Sequence, residues 1–337
     1  MDYQTLRHNT REALDKAVYP PKKLALIHIG ATTLLSLVMT VINFALAKGY
    51  GASSGLGKTE QRAILETIQV VLNYATMILT PIWSMSFTAV ALRTARWSNA
   101  EPKDLLDGFR CWGTVLKLYI LFLGISLLVV FAASQIAWII YDITPFSAGL
   151  SEAMVTAGAE GLDMMALLED DAVIRQMIPL TVILFVVIAL LGIPLLYRFR
   201  MSLFAVADGE TGARKALAHS TRITRGRRME LFKLDLHFWW YYGALLLISA
   251  LSSLDSILEF AGITLPVSQD VVIYGAYGLY LAANLILGWQ VSLSVQTTYA
   301  LCYDRLNSEV MQEPEIKADP QANPWARRDQ ENQQDQQ

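Results

Sequence analysis

Charge is what this sequence has least of. Only 17% of its 337 residues are Asp, Glu, Lys or Arg, against about a quarter in soluble domains. With a mean hydropathy of +0.37, that deficit makes lipid the expected solvent. A basic excess is missing too. The formal charge is −3, so no nucleic-acid partner is expected. Cysteine is nearly absent. Cys111 and Cys302 form no CxxC pair and fall near span ends expected in the cytoplasm, where thiols stay reduced; no disulfide framework follows. Four histidines (His8, His28, His219 and His237), none in an HExxH spacing, leave metal hydrolysis without ligands.

What is present is apolar length. Six stretches carry no Asp, Glu, Lys or Arg: 24–46, 67–91, 118–141, 177–196, 237–251 and 271–301. A spanning helix needs about 20 apolar residues, so five suffice as they stand. The fifth is short and is expected to extend over 234–254, with Asp235 at the interface. The sixth is long, so it must tilt or project beyond the bilayer. Lipid cannot satisfy an open backbone, so helices are the default. The expected fold is all-α: a polytopic bundle of six transmembrane helices with short interfacial amphipathic helices. Residues 1–307 form the membrane domain. The rest, 308–337, is rich in Gln, Asp and Pro and reads as a disordered cytoplasmic tail. The first run exceeds the roughly 7–15 residues of a signal-peptide core, so it is expected to remain as span one despite Ala45-Leu46-Ala47 at its end.

The cations are unevenly placed. Of 27 Lys and Arg residues, 23 lie in alternate inter-span segments and 4 in the others. Positive charge stays inside during insertion, so both termini are expected in the cytoplasm, with the chain in the cytoplasmic membrane. Trp112, Trp138, Tyr141, Trp239, Trp240, Tyr241 and Tyr242 sit near span ends, as interfacial rings prefer. The outer segment 142–176 carries seven acids and one Arg. It includes a helical periodicity over Ser151–Leu168 and the cluster Glu169-Asp170-Asp171, which reads as a solvated acidic cap rather than a cation site.

The segments before spans one, three and five look alike. They are Arg11–Ala17, Lys103–Arg110 and Arg214–Arg222, each followed by further cations and a span. Thr10, Thr211 and the Ser98–Glu101 capping box are the expected helix starts. Pro20-Pro21, Gly113 and Gly226 are the expected breaks. This suggests three units of a surface helix plus a two-span hairpin. The third basic segment, 197–236, holds nine cations. Arg214, Lys215, Arg222, Arg225, Arg227 and Arg228 are candidates for contact with anionic lipid, at about 1 kcal/mol each. Setting topology is a compatible and simpler role for them.

Several motifs carry no chemistry. Ala52–Thr59 imitates a phosphate-binding loop, but it follows a span rather than a strand and lies on the expected outer side. His219-Ser220 are neighbours on a helix and do not face each other, and no acid orients the histidine. Asp235 and His237 share that defect. His28 lies one turn inside span one, where a hydrogen-bonded or snorkelling histidine is the simpler reading than a functional one. Asp255 is similar at the edge of span five. Polar side chains in the spans (Asn43, Asn73, Asn284, Gln290, Ser292, Ser294, Gln296 and Thr297) are ordinary interhelical hydrogen-bonding groups. A polar pathway, if there is one, would draw on Asn73, Asn284, Gln290 and Gln296, since span six is the most polar. No catalytic set, cofactor site or metal site is expected.

Four stretches carry a resemblance. They are Asp104-Leu-Leu-Asp-Gly-Phe-Arg110, Gly192-Ile-Pro-Leu-Leu-Tyr-Arg-Phe-Arg-Met201, the run from Ala216 through Ser220-Thr-Arg222, Gly226 and Leu231 to Leu236, and Tyr303-Asp-Arg-Leu306. Through them the chain resembles the uncharacterised bacterial integral-membrane proteins of domain-of-unknown-function family 975. It is also similar in architecture to the membrane domain fused to some glycerophosphodiester phosphodiesterases. The chain departs from the family after Leu236, where His-Phe-Trp-Trp replaces a small-residue, Gly-Trp-type pattern. The resemblance implies a multi-span membrane protein and no activity. No phosphodiesterase domain is present, so that activity is not implied. Three functional readings stay open: a non-enzymatic scaffold, envelope factor or lipid-interacting protein; a small secondary transporter or permease; and, with no paired acid and base to support it, a membrane enzyme.

Overall fold

The computed structural model describes residues 3–49, 58–159, 171–254, 257–258 and 269–312. All regular elements among them are helical, as a backbone that must satisfy itself in lipid requires. Helix α1 (Tyr3–Asp15) precedes α2 (Pro21–Gly49), with Pro21 opening α2 where its missing amide costs nothing. After α3 (Lys58–Ala95) come a 3₁₀ turn (Pro102–Leu106), the short α4 (Asp107–Arg110) and α5 (Trp112–Asp142). Next are α6 (Phe146–Ala159), α7 (Asp171–Phe199), α8 (Ser202–Ala207), α9 (Ala213–Ile223) and α10 (Arg228–His237). Then α11 (Trp239–Leu251) and α12 (Gln269–Leu287) follow, and a π-helical turn (Gly288–Ser292) joins α12 to α13 (Leu293–Gln312).

Among the described residues, five segments are long and apolar enough to cross a membrane: Pro21–Ile42, Thr67–Ala95, Trp112–Asp142, Arg175–Ala207 and Val271–Met311. The remaining expected span corresponds to α11, which is apolar but shorter. It is not one helix over 234–254. The chain breaks at Phe238 (φ −98°, ψ 16°), so Leu234 and Asp235 belong to α10. The cause is packing: Leu234 is buried in the core and Asp235 is held by Arg200. Span six projects beyond its expected end, because α12, the π turn and α13 run on to Gln312. Residues 308–312, assigned to the tail from sequence, are therefore helical; 313–337 lie outside the described residues.

The packed core sits at one end of the bundle, the end that carries the cation-rich segments. Leu6 of α1, Leu92 of α3, Leu118 of α5, Met201, Phe204 of α8, Leu231 of α10 and Tyr303 of α13 meet there. Helix α3 is axial: 56% of its most apolar window is buried, against 11% in each of the other four. Those four instead expose large apolar side chains such as Leu127, Phe131, Leu190 and Leu279, as a lipid solvent permits. At the other end α6 closes on α5 and α7. There the Tyr141 hydroxyl donates to the Phe146 and Gln176 carbonyls, each at 2.9 Å.

Surface helices do precede α2, α5 and α11, but their signals differ from those expected. Thr10 is no cap. It lies buried inside α1, donates to the Leu6 carbonyl and meets the Thr298 hydroxyl of α13 at 3.1 Å. Gly212, not Thr211, caps α9. Glu101 caps the 3₁₀ turn, its amide donating to the Asp104 carboxylate at 2.8 Å, while the Ser98 hydroxyl turns back to donate to the Arg93 carbonyl at the end of α3. The break between α4 and α5 is at Cys111, not Gly113. Gly226 does break the chain, with φ +77°. The phosphate-loop imitation at 52–57, the acids Glu169 and Asp170, and Asp255 lie outside the described residues.

Candidate functional site

The cation-rich end is organised by ion pairs that tie distant stretches together. At the end of α3, Arg93 pairs with Asp104 and with Asp107, the latter at 2.6 Å. Burial pushes the Asp104 carboxyl up, but the Glu101 amide and the Arg93 guanidinium outweigh it and hold the group below its ordinary value. One turn on, Arg96 reaches Asp304 of α13 at 2.6 Å and Asp208 after α8 at 2.5 Å. Hydrogen bonds to Asp304 and then Asp208 push the already high value of that guanidinium higher. The Tyr303 hydroxyl donates to Asp208 at 3.1 Å.

A second centre joins α7, α10, α11 and α13. Arg200 meets Asp235 at 2.8 Å and lies over the Tyr299 ring, 4.7 Å from its centroid. Tyr197 donates to Asp235 at 2.7 Å, and Tyr299 donates to the same carboxylate. Tyr242 bonds both Arg200 (3.0 Å) and Tyr299 (2.9 Å). A third group pairs Arg227 with Glu230 and Glu309, and Arg305 with Glu309. A single charge removed from water is costly, and these partners offset that cost.

The six candidate lipid residues are accordingly not equivalent. Arg227 is engaged by two carboxylates. Arg222 bonds the His219 ring at 3.2 Å. Arg228 is half-buried, with its Nε unpartnered. Arg214, Lys215 and Arg225 are exposed and form no ion pair among the described residues. His219 and Ser220 do separate jobs. Ser220 is buried, accepts the Met201 amide and donates to the Arg198 carbonyl at 2.9 Å, whereas His219 sits beside Tyr303.

The candidate pathway residues are not brought together. Asn73 lines a groove of about 850 Å³ between α2 and α3, with His28, Thr32, Ser36, Thr76 and Thr80. Asn284 bonds Tyr280 within α12 at 3.5 Å, Gln290 lies on the π turn and Gln296 on α13; none of the three lines the groove. The Asn43 side chain lies outside the described residues. His28 stacks on Phe87 at 4.1 Å and on Trp83 at 5.7 Å. Among the described residues no group of three His, Cys, Asp or Glu side chains is placed to hold a metal ion.

Sequence reasoning missed Asp208, Asp235, Asp304, Arg96 and Arg200 as partners. For Arg200, Asp235 and Asp304 a signal was available: each lies within about a turn of the end of an uncharged stretch, where a charge needs a partner to approach the core; Arg96 and Asp208 lie farther along the chain. The resembling stretches, far apart in the chain, supply Asp104, Tyr197, Arg200, Asp235 and Tyr303 to these networks. A family model described as "Protein of unknown function (DUF975)" matches residues 22–309. No curated protein and no solved structure matches the chain.

Proposed function

The chain belongs to the DUF975 family, and from that premise we propose that it is a non-enzymatic scaffold of a bacterial cytoplasmic membrane that works by contact with anionic lipid. In this reading six helices cross the bilayer, both termini are cytoplasmic, and the ion-paired end is a platform at the inner surface. The supporting observation is where the packing lies. The buried core and the ion pairs gather at the cation-rich end, while most spans expose their apolar faces. Among the described residues Arg214, Lys215 and Arg225 have no acidic partner, and each would add about 1 kcal/mol toward an anionic surface.

The test is purification in native lipid followed by mass spectrometry of what co-purifies. Enrichment of anionic over zwitterionic lipid, reduced in an R214Q/K215Q/R225Q variant, is the expected result. Unchanged lipid composition would overturn the reading. The runner-up, a small transporter, draws support from the groove that holds Asn73. For it, Asn73→Leu would abolish uptake of a solute by proteoliposomes; a groove filled by lipid acyl chains predicts no uptake in either form.

A further inference from the structure

Five of the arginines at the cation-rich end (Arg93, Arg96, Arg200, Arg227 and Arg305) have carboxylate partners. Arg7 and Arg11 do not: among the described residues neither forms an ion pair, and both are exposed. They stand four residues apart, on one face of α1. That face is held in place. Thr10, between them, bonds Thr298 of α13, and the Tyr3 hydroxyl donates to the Glu230 carbonyl at 3.1 Å.

Both arginines line a pocket of about 350 Å³ between α1, the α10–α11 break and α13. His237 and Trp240 stand on its wall, Leu6, Leu234, Phe238 and Val295 supply carbon, and Ser294 and Thr298 supply hydroxyls. Among the described residues no Asp or Glu lines it. We propose that this pocket binds the phosphate headgroup of one anionic phospholipid. Two guanidiniums in a pocket whose described lining carries no acid favour an oxyanion, which they can engage through paired N–H donors. The carbon wall and Trp240 sit where α11 begins its apolar run, at the level interfacial rings prefer. An anion that carries acyl chains therefore fits this pocket better than a free one. The site rests on the lipid-contact reading above but uses different residues, and Arg7 and Arg11 precede the matched range 22–309.

The test uses the full chain in nanodiscs of phosphatidylglycerol in excess phosphatidylcholine, with native mass spectrometry counting retained lipid. One phosphatidylglycerol should survive delipidation. An R7Q/R11Q variant should hold it about tenfold or more weakly, R7K/R11K should recover much of the binding, and R214Q/K215Q/R225Q should leave that one lipid in place. Thermal melts of each variant separate lost binding from lost folding. Retention unchanged in R7Q/R11Q overturns the site. If only the triple variant loses lipid, this site falls and the broader surface reading stands. If neither variant loses lipid, both fall. Displacement of the retained lipid by inorganic phosphate would also overturn the proposal, since it would assign the pocket to a soluble anion.

Discussion

Asp104 shows how one side chain can set a local fold. Its carboxylate closes the turn on the Glu101 amide and neutralises Arg93. Its folded value lies below the ordinary 3.8, so it favours the folded state at neutral pH. That contribution is complete above the unfolded value and is lost as pH falls through the lower folded value. Thermal melts should therefore drop as pH is taken below about 4, and Asp104→Asn should remove part of that drop while lowering the neutral-pH melt. A variant with the same acid limb as the parent would refute the assignment. Ser220 works similarly without charge: one buried hydroxyl serves the last turn of α7 and the start of α8.

Elements meet at close approaches that glycine permits. A Cβ on Gly108 would collide with the Ile82 carbonyl of α3 and come within 2.5 Å of Ser86 Oγ, which already accepts the Gly108 amide. Backbone cannot move aside cheaply, so Gly108→Ala should destabilise by about 1–3 kcal/mol. Gly113→Ala meets nothing within 4 Å and should be neutral or slightly stabilising in the helix. Equal melts for the two variants would contradict this account. The Arg200–Asp235 pair ties four helices. Asp235→Leu leaves a mostly buried guanidinium unpaired and should cost about 3 kcal/mol. Adding Arg200→Leu should return part of that loss, which a double-mutant cycle measures.

At the scale of the whole molecule, the buried core gathers at one end, and apart from α3 the long spans bury little of their apolar surface. The proposed orientation puts the packed end inside. In intact cells a membrane-impermeant thiol reagent should label Ile143→Cys and spare Lys103→Cys, with both labelled after lysis. The reverse pattern would turn the protein over. Both positions are exposed on the chain, so labelling reads the side of the membrane and not burial.

The helical class, the long apolar segments and the surface helices before alternate spans were legible in the sequence. They depend on composition and on periodicity along the chain, which are local properties. The break at Phe238 was not, because it follows from Leu234 and Asp235 being claimed by residues tens of positions away. Thr10 reads locally as a cap and becomes a contact with Thr298 only when α1 lies on α13. The sequence alone therefore determined that charge leaves the long apolar stretches and that Lys and Arg collect in alternate segments between them. Only the tertiary structure decided which of those cations are neutralised, as Arg96 and Arg227 are, and which form no ion pair among the described residues, such as Arg7, Arg11 and Arg214. A charge is paired by proximity in space, and the partners lie up to 208 residues apart.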